Sequence, residues 1–166
     1  MPDGQAAIHG GMNGAMNGDM AGHLDARVIG FDFGLKRIGI ATGNTRTGTS
    51  QGLCTLRAKG GTPDWAEVAR LIGRWLPSIL VVGLPLNMDG SESPMAARAR
   101  QFGECAGRRF ALKVAYVDER LTTAGAETLL RQRTASGKSV AQKRRKYRDN
   151  LAAELIVRTY LEDNRP

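Results

Sequence analysis

The sequence has few of the residues that most often carry hydrolytic catalysis. Its only two histidines, His9 and His23, precede residue 26, so residues 26–166 contain no imidazole. This absence argues against a Ser-His-Asp or Cys-His site and against a His-ligated zinc site. Hydrolytic chemistry in this chain would have to rest on carboxylates, lysines, hydroxyls or a metal ion.

Cysteines and long apolar segments are also scarce. Cys54 and Cys105 stand far apart and outside any CxxC pattern, so we expect both to be reduced, half-buried side chains. No run of about 18 apolar residues occurs, and no basic patch followed by an apolar stretch opens the chain. We therefore expect a cytoplasmic protein without a membrane partner.

Basic residues, in contrast, are abundant. The net charge is +8 and the three acids of residues 1–25 stand without any Lys or Arg, so removing their −3 leaves residues 26–166 at +11. Eight Lys or Arg and no acid lie between Arg131 and Arg148. Such a body attracts polyanions, and nucleic acid is the leading candidate. The predicted phosphate contacts in this run are Lys143, Arg144, Arg145 and Lys146.

The chain divides into a leader and one α/β domain. Residues 1–25 are rich in Gly and Met and are predicted to be a disordered leader, since each Gly costs a helix about 1 kcal/mol. In residues 26–166 the patterns predict a hairpin over 27–42, strands at 51–57, 79–83 and 113–117, and helices at 95–109 and 123–131. A further helix follows Thr62-Pro63 as its cap and first turn, and a last helix runs from about 145 to 162. The result is a mixed five-stranded sheet flanked by helices.

Three acidic positions could carry chemistry. Asp32 interrupts the apolar run VIGFDFG and is either a turn former before Gly34 or a metal ligand. Asp118 and Glu119 end strand KVAYV, where they form either a solvated turn or part of a site, and only one would face the site if the strand continued. Asp149, at the start of the last helix, either favours the helix dipole or leads the face that packs on the sheet. Together they suggest a site for Mg²⁺, which prefers oxygen ligands.

Four segments, in this order, resemble the YqgF/RuvX family of Holliday-junction resolvases and pre-16S rRNA nucleases. They are GFDFGLKRIGIA at 30–41, VVGLPLNMDGSES at 81–93, VDERLTT at 117–123 and RDNLAAELIVRTYL at 148–161. The resemblance covers about 27–162. It departs from the family pattern at Arg148 and Asn150, which flank Asp149, and at Glu154, whose place is commonly apolar.

The resemblance implies a ribonuclease H-like fold with carboxylates that bind Mg²⁺ or Mn²⁺. Asp32, Glu119 and Asp149 would be the catalytic and metal-binding residues, and Asp118 is a further candidate. Asn87 would line the cleft. Charge and position add Lys36, Arg37 and Arg120 as expected nucleic-acid contacts.

Three functions remain open at this point. The first is metal-dependent processing of the 5′ end of precursor 16S rRNA, on or near the small ribosomal subunit. The second is resolution of branched DNA, for which a symmetric dimer would be expected, although the sequence is equally compatible with a monomer or a weak homodimer. The third is a non-catalytic ribosome- or RNA-binding module.

Overall fold

The computed structural model describes residues 26–122 and the backbone of 141–165, with side chains from residue 150 onward in the second range. In chain order the elements are β1 (Arg27–Asp32), β2 (Arg37–Asn44), β3 (Thr49–Lys59), β4 (Thr62–Pro63), α1 (Trp65–Trp75), β5 (Ile79–Leu84), α2 (Pro94–Phe110), β6 (Lys113–Asp118), a 3₁₀ helix (Glu119–Leu121) and α3 (Ala141–Asp163). The predicted leader at 1–25 and the predicted helix at 123–131 lie outside the described residues.

The strands form one mixed sheet in the order β4-β3-β2-β1-β5-β6. β1 pairs antiparallel with β2 and parallel with β5, and β5 pairs parallel with β6. The predicted strands are confirmed, and the sheet has six strands rather than the five expected because β4 adds a two-residue pairing with β3. The α/β, ribonuclease H-like fold predicted from the sequence is confirmed.

The start of α1 corrects one prediction. The sequence predicts Thr62 as the cap and Pro63 in the first turn, but both residues form β4. Asp64 is the N-cap, its Oδ1 accepting a hydrogen bond from Ala66 N at 2.9 Å. An aspartate in the extended conformation satisfies one of the helix's unpaired N–H groups as well as a threonine does. The helix therefore starts after the strand rather than replacing it.

The sheet separates two apolar layers, and β5 contributes to both of them. Its side chains alternate: Leu80, Val82 and Leu84 pack with α1 and α2, whereas Val81 packs with α3. A strand covered on both faces needs a continuously apolar sequence. This is why the run ILVVG predicted a central buried strand, and the prediction is confirmed.

The environment of the two cysteines agrees with the prediction from composition. Cys54 and Cys105 are half-buried, and neither forms a disulfide within the described part of the chain, as predicted. No helix among the described residues is long and apolar enough to cross a membrane.

Candidate active site

Asp32 lies at the carboxyl end of β1, opposite Gly39 of β2. Alternation places it on the same face of the sheet as Gly30. A Cβ added at Gly30 would collide with Val157 of α3, so this face is the one that α3 covers. Asp32 is half-buried, and its carboxylate therefore stands at the edge of the sheet beneath the α3 layer.

Glu119 reaches the same edge from the other side of β5. β6 ends at Asp118, and the chain turns into the 3₁₀ helix at Glu119. A Cβ built at Gly83 would lie 2.6 Å from Glu119 Oε1 and 2.5 Å from Ile156 Cδ1. The missing side chain at Gly83 is thus what leaves room for the Glu119 carboxyl between β5 and α3. Since Phe31 pairs with Val82, Gly83 stands next to Asp32 along the sheet edge.

Burial and the neighbouring acids both act on the pKa of Glu119. Partial burial raises the pKa of Glu119 to about 7, and repulsion from Asp32 and then Asp118 adds to the effect. Two carboxylates close together resist being charged at the same time. Because a divalent cation would relieve this repulsion, the donor set fits a hard metal ion.

Asp118 and Arg120 form a tight local pair. Asp118 Oδ2 accepts a hydrogen bond from Arg120 Nη2 at 2.6 Å, and Asp118 Oδ1 accepts from the backbone N and from Nε of Arg120, each at 3.0 Å. These bonds lower the pKa of Asp118. The sequence predicted that Asp118 and Glu119 would point to opposite faces of the sheet if the strand continued through both. The turn into the 3₁₀ helix at Glu119 ends that alternation.

Arg120 also connects this pair to the loop between β5 and α2. Its Nη1 donates to Met88 O at 3.1 Å. Within the loop, Asn87 Nδ2 donates to Ser91 Oγ at 2.9 Å, and Ser91 Oγ donates to Asp89 Oδ1 at 2.6 Å. Asn87 therefore helps to shape an exposed loop that Arg120 holds beside the acidic edge. Arg120 thus has a structural role, and its predicted contact with phosphate stays a prediction.

The position of Asp149 corrects a further prediction. α3 begins at Ala141, so Asp149 lies in the third turn rather than at the helix start. The alternative that Asp149 merely favours the helix dipole is wrong, because that effect is confined to the first turn. The side chain of Asp149 lies outside the described ones, as do those of Lys143, Arg144, Arg145 and Lys146, although their backbone is helical.

Described contacts fix how α3 sits on the sheet. Asn150 Oδ1 accepts from Thr55 Oγ1 at 2.7 Å, and the buried Glu154 accepts from Gly52 N at 3.3 Å. Ala153 and Ile156, from the predicted helix face, are fully buried. Position 149 lies one turn before Ala153 on this same stripe. Two of the three departures from the family pattern, Asn150 and Glu154, thus have partners on β3.

The basic residues near β1 are solvent-accessible. Lys36 lies between β1 and β2 and Arg37 opens β2, and both are exposed. They stand four and five residues after Asp32, at the same end of the sheet.

Among the side chains that the structure describes, no three His, Cys, Asp or Glu residues group together as a metal site. Asp32 and Glu119 are two carboxylates at one end of the sheet.

Residues 26–163 match the sequence model of the family described as "RuvX: Holliday junction resolvase". The chain belongs to this family. A relative from Pseudomonas putida, named "Putative pre-16S rRNA nuclease", is 48% identical over 141 residues, which are 82% of this chain and 95% of the relative. A relative of the same name from Actinobacillus succinogenes is 46% identical over 137 residues, again 82% and 95%.

Structural similarity extends further than sequence similarity. The crystal structure of the fowlpox virus Holliday junction resolvase superposes with a TM-score of 0.50 at 17% identity and covers 82% of this chain and 98% of the viral one. At this identity the likeness concerns the fold alone. It agrees with the RuvX assignment, which rests on the sequence.

The sequence did not single out Gly83, although a signal was available. A glycine inside an apolar strand often marks a place where another group approaches closely. Here two groups do so, the Glu119 carboxyl and the Ile156 methyl.

Replacement of Gly83 by alanine is expected to disturb both contacts. Because the new Cβ would overlap Glu119 and Ile156, we expect a loss of about 1–3 kcal/mol in the free energy of unfolding, with weaker divalent-metal binding. Gly73→Ala is the matched control, since no described atom lies within 4 Å of a Cβ at that position in α1. It should be neutral or stabilise by up to about 1 kcal/mol. Chemical denaturation measures both, and equal effects at the two sites would contradict the prediction.

Proposed function

We propose that this chain is a metal-dependent nuclease that processes the 5′ end of precursor 16S rRNA. The observation that carries the proposal is that the Glu119 carboxyl packs against Gly83 of β5, close enough to Asp32 at the end of β1 for the Asp32 charge to raise the pKa of Glu119. The relatives' printed name supplies the substrate. The basic character of residues 26–166 supports a polyanionic substrate of this kind.

Asp32, Glu119 and Asp149 are the residues that would hold Mg²⁺ or Mn²⁺. Bound there, such ions would supply the charge that activates water and stabilises the departing oxygen of a phosphodiester. Asp32 lies on β1, Glu119 at the end of β6 and position 149 on α3. These three rigid elements limit the movement of the ligands, and α3 shields one side of the site from solvent.

The other proposed roles follow from position. Arg120 orients the loop that carries Asn87 and fixes the 3₁₀ helix that carries Glu119. The exposed Lys36 and Arg37 would contact phosphates on the other side of the acidic edge. Lys143, Arg144, Arg145 and Lys146 would add contacts along α3, and Asp118 would act on the site through its charge on Glu119.

Branched DNA is the second candidate substrate, favoured by the description of the family. The two substrates are distinguished by incubating the purified chain with precursor 16S rRNA and with a synthetic four-way junction, each with Mg²⁺, Mn²⁺ or a chelator. We expect metal-dependent shortening of the RNA 5′ end and intact junction arms. Symmetric cleavage of the junction by a dimer, with the RNA left whole, would reverse the assignment.

A further inference from the structure

A groove of about 430 Å³ opens at the end of the sheet away from the acids. Arg27 pairs with Asn44 across β1 and β2 at this end, whereas Asp32 lies at the other end of β1. The six residues of β1 separate the two ends by about 17 Å, at roughly 3.4 Å per residue. The groove is therefore distinct from the candidate active site.

The groove also lies on the opposite face of the sheet. A Cβ at Gly43 would meet Val157 and Leu161 of α3, so alternation directs Thr42 and Asn44 to the side of α1. The last turn of α1 forms the other wall. Arg27 Nη1 donates to Trp75 O at 3.3 Å, which connects that turn to the sheet.

The lining combines cations, an aromatic ring and small polar groups. Its described residues include two guanidiniums and no carboxylate, and the Arg74 guanidinium lies 5.7 Å from the centroid of the Trp75 ring. An arginine has five N–H donors, and the bond to Trp75 O uses one from Arg27. Hydroxyl, amide and backbone groups complete the wall, at Thr42, Gly43, Asn44, Thr49, Ser50 and Gln51.

This combination suits one class of ligand. Arginine, serine, threonine, asparagine and glutamine supply most contacts to the phosphates and sugars of nucleic acids. A tryptophan ring offers a surface on which a base can stack, and only a base outside a duplex is available for this. Since the described lining holds no acidic residue, a phosphate would not meet the repulsion that a carboxylate would exert.

We propose that this groove binds a nucleotide of a single-stranded nucleic-acid segment, apart from the segment held at the carboxylates. This proposal rests on the proposed function only because it takes the ligand to be nucleic acid. Arg27 and Arg74 contact the phosphate, and Trp75 contacts the base. The groove thereby adds affinity for substrates that extend beyond the cleavage site.

The test is equilibrium binding of a mixed-sequence single-stranded oligoribonucleotide in the presence of a chelator, measured by fluorescence anisotropy. In the double variant Arg27→Gln/Arg74→Gln we expect affinity to fall about tenfold. The slope of log affinity against log salt should become shallower by about 0.7 for each phosphate that the variant no longer neutralises. Arg109→Gln is the matched control, because Arg109 lies 4.8 Å over the ring of Trp65, outside the groove. It should bind within about twofold of the wild type.

A second measurement follows Trp75 directly. The chain has two tryptophans, so Trp65→Phe leaves Trp75 as the single reporter, and the oligonucleotide should quench its fluorescence. Unchanged binding by the double variant, or an equal loss in Arg109→Gln, would overturn the groove assignment. Because no cleavage is measured, these outcomes are independent of whether the carboxylates cut RNA.

Discussion

Replacement of Asp32 by asparagine is expected to reduce metal-dependent cleavage of precursor rRNA by about 10²–10³-fold or more. The change keeps the size of the side chain but removes the charge that would hold the metal ion, and several kcal/mol of transition-state stabilisation depend on it. Asp149→Asn should have a similar effect if its carboxylate completes the site from α3. Single-turnover kinetics at saturating RNA measure both losses.

Asp163→Asn is the matched control for these variants, because it makes the same change at an exposed position at the end of α3. Its cleavage rate should equal that of the wild type. Nucleic-acid binding in a chelator should persist in all three variants. If an Asp32/Asp149 double variant still supported growth of a strain depleted of the protein, the non-catalytic RNA-binding module would replace the nuclease as the function.

Replacement of Glu119 by glutamine is expected to raise the free energy of unfolding at pH 8 while it abolishes cleavage. The folded protein raises the pKa of Glu119 from 4.5 to about 7, so the folded state holds this proton more tightly than the unfolded state. The stabilisation associated with the proton is complete below pH 4.5 and is lost as the pH rises through 7. Glutamine resembles the protonated form at every pH, and cleavage should be lost with the metal-binding charge.

The stability difference can be followed by denaturant unfolding of the metal-free protein between pH 5 and 8. Near pH 5 the variant and the wild type should be about equally stable. At pH 8 the variant should be more stable by about 1–2 kcal/mol, an amount reduced by partial solvent exposure of the carboxyl. Mg²⁺ should stabilise the wild type more than the variant. A variant less stable than the wild type at pH 8 would show that ionisation of Glu119 does not destabilise the folded protein.

Protonation of Glu119 should also appear in the pH dependence of cleavage by the wild type. Because a metal ion and a proton compete for the Glu119 carboxylate, cleavage at limiting Mg²⁺ should rise as the pH passes through about 7. A higher metal concentration should move the midpoint to lower pH. The Asp163→Asn control should follow the wild-type profile.

The sequence by itself determined most of the strands and narrowed the possible chemistry. The lack of histidine after residue 23 left carboxylates, lysines, hydroxyls or a metal ion to carry any hydrolytic chemistry. The alternation or continuity of apolar residues predicted β1, β2, β3, β5 and β6. The strand predictions succeed because strand periodicity is a local property of the sequence. The four family segments then assigned roles to Asp32, Glu119 and Asp149, which the local patterns alone had left open.

Only the tertiary structure showed that Asp32 and Glu119 lie at the same end of the sheet. The sequence could not show that Gly83 makes room for Glu119, that Arg120 joins Asp118 to the loop at Met88, or that α3 begins at Ala141. Nor could it show the groove that Arg27 and Arg74 form on the far side of the sheet. Each depends on contacts between segments distant in the chain, which follow from how helices pack on the sheet rather than from local preference.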